Sequence, residues 1–363
     1  MSTLSHGTFL AGVFFMFLPV GLLTDISRLG SDPVPRLIAE MLFSGGIAVA
    51  YVLAVRRPRW LPVLIVAHIL LSMEMTRLAG ARTLPLTDAA LQARIQADTS
   101  GVVAAIIASF VLLSNFVQRE GSRYVRAHTE IALARDIHRL LVPALARRVG
   151  AFEFQGVSFP SGDVGGDLID LVESKDGWIG YVADVSGHGV GAGLLMGMMK
   201  SATRMQLQQT HPIDRLLTDL NAVLLDLKKP EMYITFAGLQ FDCQSGLRFT
   251  VAGHPPILHY RASSATIDEL SVAQLPIAMF PDRTFTAAHV AWAPGDLFVI
   301  LTDGLTDVFD RRDREFGLER VKALVRERAT DPLERLQDAL IGAARQHGPQ
   351  LDDQTLLLIR AVG

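Results

Sequence analysis

The stretch that decides the fold runs from Val164 to Gly189 and reads VGGDLIDLVESKDGWIGYVADVSGHG. It contains apolar, strand-like segments bounded by acid-plus-glycine turns at Asp167 and at Asp184. Aspartate is a poor strand former, and glycine is costly inside a regular element. Strand stability therefore does not explain why aspartate and glycine stand at these positions. The pattern predicts that the strand ends hold a ligand, and a divalent cation is the ligand that suits carboxylate oxygens.

Composition limits the alternatives for the whole chain. The 363 residues suffice for two or three domains, and the net charge of −3 indicates no nucleic-acid partner. Cys243 is the single cysteine, which excludes a disulfide framework and fits a reducing compartment. Because it lies in a strand-like run, we expect a buried and unreactive thiol.

The first 118 residues hold most of the apolar excess. Four runs approach the roughly 17–25 residues needed to cross a bilayer; they are 8–24, 37–55, 60–76 and 101–117. The alternative is a soluble helical bundle with unusually apolar helices. We predict a four-helix transmembrane domain over residues 1–118, with membrane lipid as its surroundings.

Arginine distribution predicts the orientation of this domain. Basic residues are concentrated in the loop after the second run and directly after the fourth run; they are Arg56, Arg57, Arg59, Arg119, Arg123 and Arg126. Short loops rich in Arg and Lys stay on the cytoplasmic side. The pattern predicts a multi-pass protein of a bacterial inner (cytoplasmic) membrane whose C-terminal part is cytoplasmic.

Residues 119–147 are predicted to form a helical linker. Apolar residues recur there at spacings of three and four, from Ile131 to Ala144. Pro143 should end or kink the helix near Leu141. Such a helix either packs on its own domain or forms a homodimer and transmits a signal. Both interpretations remain open from the sequence.

Residues 148–363 are predicted to form an α+β domain. Strand patterns follow one another through short turns, and helical patterns come in pairs, which favours antiparallel sheets over alternating β-α units. Two of the predicted strands are Thr284–Trp292 and Leu297–Thr302.

Acidic residues collect at the ends of these elements. They are Asp167, Asp170, Asp184, Asp303, Asp307, Asp352 and Asp353. A buried carboxylate without a partner is unfavourable, so acids at several strand ends indicate a shared partner. Oxygen ligands without a histidine or cysteine cluster favour Mg²⁺ or Mn²⁺ over Zn²⁺.

Four motifs in this order resemble the metal-dependent (PPM-type) serine/threonine phosphatases, in their bacterial sporulation-protein-E (SpoIIE) branch. They are Gly165-Gly166-Asp167-x-x-Asp170, Asp184-Val185-Ser186-Gly187-His188-Gly189, Thr302-Asp303-Gly304-Leu305-Thr306-Asp307 and Asp352-Asp353-Gln354-Thr355. The segment Ala252-Gly253-His254-Pro255-Pro256 and the helix from Ile131 to Pro143 also resemble this branch. The resemblance covers residues 130–363 and does not extend to the apolar N-terminal part.

This resemblance implies an αββα sandwich, two antiparallel sheets flanked by helices, with a site for two Mn²⁺ or Mg²⁺ ions at one end. Asp184 would bridge the two ions, and the Val185 carbonyl would bind one of them. Asp303 and Asp352 would bind the second ion, and Asp167 would hold the water shell of the first. Asp167 and Asp184 are thus the predicted catalytic residues.

Other residues are weaker candidates for outer positions around such a site; they are Asp170, His188, Asp307 and Asp353. His188 is either a general acid or a residue that bonds the backbone of its turn. His254 is expected to be structural.

The implied activity is hydrolysis of phosphoserine or phosphothreonine on a regulatory protein, such as an anti-sigma-factor antagonist. Two alternatives are a scaffold that binds phosphoprotein without hydrolysis and a hydrolase of small phosphate esters.

Overall fold

The computed structural model describes residues 3–29, 32–55, 57–79, 87–174, 177–207 and 212–363, with side chains left out at 3–4, 75–79 and 123–128. The chain divides into two compact units, Met1–His128 (unit 1) and Thr129–Gly363 (unit 2). The three-part division predicted from the sequence, 1–118, 119–147 and 148–363, stays a prediction.

Unit 1 is helical. Its helices, the last of which continues into unit 2, are α1 (Thr3–Phe17), α2 (Pro19–Ser27), α3 (Val34–Val55), α4 (Leu61–Ala79) and α5 (Asp88–Leu141). Three stretches of the described residues are long and apolar enough to cross a membrane, namely Ser5–Ser27, Val34–Val55 and Asp88–Ser122. They include the predicted spans 8–24, 37–55 and 101–117.

The fourth predicted span, 60–76, is not among these three stretches. Helix α4 does occupy this region, but its side chains are described only to Glu74. Glu74, and Arg77 three residues later in the sequence, interrupt the apolar run in the last turns of this helix, and charged residues are unfavourable inside a bilayer. The prediction of four transmembrane helices is therefore corrected to three candidates.

Helix α5 ends where the sequence predicts. Its last residue is Leu141, two positions before Pro143, and the next element is a strand that begins at Leu145. Proline disfavours helical geometry in the residue before it, which accounts for this end.

Unit 2 contains two antiparallel sheets. Sheet I has the strand order β1-β2-β11-β10-β7-β8, and sheet II has the order β3-β4-β5-β6-β9. The strands are β1 (Leu145–Val149), β2 (Phe152–Phe159), β3 (Leu168–Glu173), β4 (Gly177–Val185), β5 (Ile234–Asp242), β6 (Gly246–Ala252), β7 (Ile257–Arg261), β8 (Thr266–Leu270), β9 (Ala288–His289), β10 (Leu297–Leu301) and β11 (Gln354–Ala361).

Five helices complete the described part of unit 2. They are α6 (Val190–Gln206), α7 (Ile213–Leu225), α8 (Asp303–Thr306), α9 (Leu318–Arg328) and α10 (Leu333–His347). Met196 and Leu220, from α6 and α7, pack with Tyr181 on the outer face of sheet II. Leu336, from α10, packs with Leu358 on the outer face of sheet I. The layers are therefore helix, sheet, sheet and helix, as expected.

The inner core lies between the two sheets. Val182 and Ala237 enter it from sheet II, and Ile300 and Leu357 enter it from sheet I. Side chains alternate between the two faces of a strand, so every second residue counted from these four along its strand also points into the inner core.

Three local predictions differ from the structure. In the predicted strand Thr284–Trp292 only Ala288–His289 is paired, and it pairs with β6 at the edge of sheet II. The edge strand β1 begins at Leu145, inside the region 119–147 predicted as a helical linker. Cys243 is exposed because it lies in the turn between β5 and β6 rather than inside a strand.

Candidate metal centre

The two-residue period of β3 separates the two acids of the first motif. Ile169 and Leu171 face the inner core, so Asp167 lies on the inner side of the chain. Asp170 is three residues later and points to the outer face. There it pairs with Lys200 at 3.2 Å and with Arg204 at 2.6 Å. Asp170 is therefore part of a buried ion cluster under α6 and lies apart from the inner acids.

Asp184 lies on the inner face at the end of β4, two residues after Val182. The following residue, Val185, buries its side chain in the outer core, while its carbonyl faces the first motif. A Cβ atom on Gly166 would lie 2.6 Å from that carbonyl oxygen. Only glycine permits this close approach, which brings Asp167 beside the end of β4.

Sheet I supplies the second group of acids. Asp303 begins the short helix α8 directly after β10, and Asp352 and Asp353 immediately precede β11. A Cβ atom on Gly304 would lie 2.1 Å from the Asp353 carbonyl oxygen, so the α8 turn packs directly on the acidic segment. Acids more than one hundred residues apart in the sequence thus meet at one end of the sandwich.

Asp353 organises the loop before β3. Its carboxylate accepts hydrogen bonds from the backbone N–H groups of Ser161 and Gly166, both at 2.7 Å, and from the Ser161 hydroxyl at 3.0 Å. A Cβ atom on Gly165 would lie 2.3 Å from this carboxylate. The approach of a buried acid therefore accounts for Gly165, whereas the Val185 carbonyl accounts for Gly166.

A hydroxyl group links the two sheets at the site. Thr302, the inner-face residue that follows β10, donates to the Asp167 carboxylate at 2.9 Å. Its oxygen also accepts the backbone N–H of Thr355 at 3.0 Å. The sequence interpretation included Thr302 and Thr355 in its motifs but assigned neither of them a role. Their signal was available, because each is a polar inner-face residue at the end of an otherwise apolar strand.

Burial and mutual repulsion raise the pKa values of the acids at this end of the sandwich. Burial, and then the charges of Asp303 and Asp352, raise the pKa of Asp184 to about 7. Burial and the charge of Asp184 raise the pKa of Asp167 well above its usual value, while the hydroxyls of Thr355 and Thr302 lower it. Burial and the Asp307 charge also raise the pKa of Asp303.

The donor chemistry fits hard divalent cations. All the candidate ligands are carboxylates or a carbonyl, and Mg²⁺ and Mn²⁺ prefer such oxygens. Within the described ranges, however, no three His, Cys, Asp or Glu side chains are already placed around a single metal position. The acids border one end of the sandwich without converging on one point.

The remaining candidates lie at the rim. Asp307 is exposed, and its carboxylate accepts the Thr306 hydroxyl at 2.9 Å. His188 is also exposed, between Gly187 and Gly189, and the hydrogen bonds identified in the described chain do not tie it to its turn. It lines an open groove of about 500 Å³ together with Asp352. This groove gives access to the acidic end of the sandwich.

Comparison with known sequences places unit 2 among phosphatases. The profile of the family Stage II sporulation protein E (SpoIIE) matches residues 174–362, just over half of the chain. Phosphoserine phosphatase RsbU of Bacillus subtilis is 27% identical over 242 residues, which cover 64% of this chain and 70% of RsbU.

Solved structures agree on the fold. The RsbU and RsbW domains of Rv1364c from Mycobacterium tuberculosis align with a TM-score of 0.52 at 25% identity, covering 61% of this chain and 62% of that one. The SiaA-PP2C domain of Pseudomonas aeruginosa aligns with a TM-score of 0.55 at 21% identity, covering 66% and 98%. The architecture of unit 2 is therefore the PP2C fold.

Two more distant structures contain metal ions. RsbX was solved in complex with magnesium and aligns at 13% identity with a TM-score of 0.47, covering 60% of this chain and 98% of that one. The catalytic domain of PstP was solved with two manganese ions and aligns at 12% identity with a TM-score of 0.45, covering 58% and 99%. For this chain, the evidence for metal is the donor chemistry of its own acids.

Proposed function

The chain belongs to the SpoIIE family of protein serine/threonine phosphatases, and from this premise we propose that it is a membrane-anchored, metal-dependent phosphatase of a regulatory protein. The observation that carries the metal-dependent part is the meeting of four acids at one end of the sandwich; they are Asp167, Asp184, Asp303 and Asp352. Burial, and then the charges of the neighbouring acids, raise the pKa of Asp184 there. A bound divalent cation would stabilise the charged form of buried carboxylates that repel one another.

The proposed roles follow the position of each oxygen. Asp184 lies between the acids of the two sheets and is suited to bridge two cations, with the Val185 carbonyl beside it. Asp303 and Asp352, from sheet I, would hold the second cation, and Asp167 would orient the water around the first. Two Mn²⁺ or Mg²⁺ ions, when bound, supply a water of lowered pKa and neutralise charge on the phosphoryl oxygens.

The proposed substrate is a phosphorylated serine or threonine on a protein. The open groove of about 500 Å³ next to Asp352 admits a protruding chain segment. The sequence resemblance to the SpoIIE branch makes an anti-sigma-factor antagonist the first substrate to test. RsbU is named as a phosphoserine phosphatase, which supports this class of substrate.

Membrane anchoring and a cytoplasmic phosphatase unit complete the proposal. Three described stretches can cross a bilayer. With three spans, the basic segments after the second span and at the end of the third lie on opposite sides of the membrane. We place the segment that leads into unit 2, with Arg119, Arg123 and Arg126, in the cytoplasm by the positive-inside rule. We also propose a homodimer formed through the linker part of α5, supported by exposed leucines at heptad spacing.

Asp184→Asn tests the catalytic assignment. We expect Mn²⁺-dependent release of phosphate from a phosphorylated protein to fall at least about 100-fold, because the bridging carboxylate is lost. Phosphate release by the full-length protein is measured with and without EDTA. Asp268→Asn is the matched control, since Asp268 lies on β8 and pairs with Arg261 away from the site.

Three results would contradict the proposal. Undiminished release by Asp184→Asn would remove the metal mechanism. Binding of phosphoprotein without any release by the wild type would indicate a scaffold. Hydrolysis of p-nitrophenyl phosphate without hydrolysis of phosphoprotein would indicate a small-ester hydrolase.

A further inference from the structure

His254 lies on the segment that crosses from sheet II to sheet I. Strand β6 ends at Ala252, and β7 begins at Ile257 in the other sheet. Gly253 has a φ of +61°, and a Cβ atom there would lie 2.4 Å from Pro276. The crossing is therefore held in one path, and it places His254 in the interior with 9% of its surface exposed.

The imidazole contacts the strand next to Asp184. Its Nδ1 lies 2.7 Å from the Thr235 hydroxyl. Thr235 on β5 is the direct cross-strand partner of Asp184 on β4, so their side chains share the inner face. Cβ atoms of such partners are about 4.5–5.5 Å apart. The Thr235 hydroxyl therefore lies within reach of the Asp184 carboxylate.

The other side of the ring faces sheet I. The backbone of Leu301, the last residue of β10, acts as an acceptor and raises the pKa of His254, against the larger effect of burial, which lowers it. The buried Nε2 atom makes no hydrogen bond of regular geometry to any residue in the described ranges. A carbonyl can only accept, so this environment favours the tautomer with its proton on Nε2.

This tautomer decides where the Thr235 proton goes. With Nε2 protonated, Nδ1 is an acceptor, and the 2.7 Å contact must use the single hydrogen of the Thr235 hydroxyl. The same hydrogen cannot also be donated to Asp184. We propose that His254 is a positioning residue that turns the Thr235 hydroxyl away from Asp184 and so keeps that carboxylate free to bind a cation.

The role rests on the proposed function and deepens it. A hydroxyl that donated to Asp184 would compete with a cation for the same oxygen. Hydrogen bonds to charged groups are strong enough to change a binding constant about tenfold. His254 removes this competition without contacting the cation.

The test measures Mn²⁺ binding to the full-length protein in lipid nanodiscs by electron paramagnetic resonance. We expect His254→Phe to bind Mn²⁺ about tenfold more weakly. This loss of affinity is within the range known for residues that support metal ligands without contacting the metal. Thr235→Val removes the competing hydroxyl and should bind as the wild type does. The double variant His254→Phe/Thr235→Val should return to within about threefold of the wild type.

Controls separate this role from general packing. His254→Asn keeps an acceptor near the Nδ1 position and should retain most of the affinity. His259→Phe alters another buried histidine, one that bonds Asp296, and should not change Mn²⁺ binding. Thermal unfolding of every variant reports folding. If His254→Phe does not fold, His254→Leu replaces it in both the single and the double variant.

The outcomes are distinct. Wild-type affinity in His254→Phe, or a double variant as weak as the single one, overturns the inference and leaves the proposed function intact. A wild-type protein that binds no Mn²⁺ overturns the proposed function and this inference with it.

Discussion

At the residue scale, small hydroxyl side chains connect the acids of the two sheets. Thr302 extends from the end of β10 to the Asp167 carboxylate, and it also satisfies the buried N–H of Thr355. Both contacts lie where the inner core ends and the acidic site begins. Thr302 therefore contributes to stability as well as to the position of Asp167.

Thr302→Val should lower the melting temperature of the metal-free protein by several degrees. The change leaves the Thr355 N–H buried without its acceptor, a loss of roughly 1–3 kcal/mol in the free energy of unfolding. Thr302→Ser keeps the hydroxyl and serves as the control. Thermal unfolding monitored by fluorescence compares the two, and equal melting temperatures would contradict the assigned contacts.

Protonation of His254 should destabilise the fold in acid. Burial lowers its folded-state pKa to about 4, whereas an unfolded histidine has a pKa of about 6.5. Below pH 6.5 the unfolded chain binds a proton that the folded chain does not, so the free energy of unfolding falls as the pH drops towards 4. Between pH 7 and pH 5 the loss is roughly 2 kcal/mol.

Melting curves of the wild type and His254→Asn at pH 7 and pH 5, in EDTA, isolate this effect. The acids of the site are common to both proteins, so the difference between their pH responses reports His254. The wild type should lose more stability than the variant. A variant that loses as much as the wild type would contradict the low pKa.

At the element scale, the last turns of α5 have two faces with different roles. Leu141 offers its carbonyl to Lys200 of α6 at 2.5 Å, and Lys200 in turn pairs with Asp170 of β3. A second face of α5 carries Leu133, Ile137 and Leu140, which are 60%, 48% and 81% exposed. Their spacing of four and three residues is that of a coiled-coil seam.

Leu133→Glu/Leu140→Glu should convert a dimer into a monomer, because the change places like charges in the apolar seam. Light scattering of the full-length protein after size-exclusion chromatography measures the mass. Arg139→Glu changes charge on the same helix outside the seam and should leave the dimer intact. If the wild type and the double variant have the same mass, the seam is not a dimer interface.

At the scale of the whole molecule, the two units differ in what stabilises them. Unit 2 is held by three apolar cores, between the sheets and under the helices on each side. Unit 1 exposes long apolar helix surfaces and buries charged pairs such as Asp25 with Arg94, at 2.9 Å. Exposed apolar helices with internal charge pairs are typical of membrane domains.

Cys243 allows the predicted orientation to be tested without engineering, because it is the single cysteine and is exposed on unit 2. A maleimide that cannot cross membranes should label it only after intact spheroplasts are permeabilised. Cys243→Ser gives the background. Labelling of intact spheroplasts would place unit 2 outside the cytoplasm and contradict the positive-inside assignment.

Much of the fold could be predicted because local patterns dominate it. The end of α5 follows from Pro143, and the order of the main strands in unit 2 follows from their apolar runs. The short pairing at Ala288–His289 could not be predicted. The strand-like run in the sequence is longer, but only these two residues pair with β6 at the edge of sheet II. The exposure of Cys243 likewise depends on where a turn falls.

The sequence alone determined the family, the apolar N-terminal part and the set of acids, since these depend on residue types and their spacing. Only the tertiary structure decided which acids belong together. It separates Asp170 from Asp167 by strand face, makes Asp353 the anchor of the Gly165-Gly166 loop, and brings Thr302 and His254 to the site from another sheet and a crossing loop. The physical reason is that side-chain alternation and sheet packing act between residues far apart in the chain.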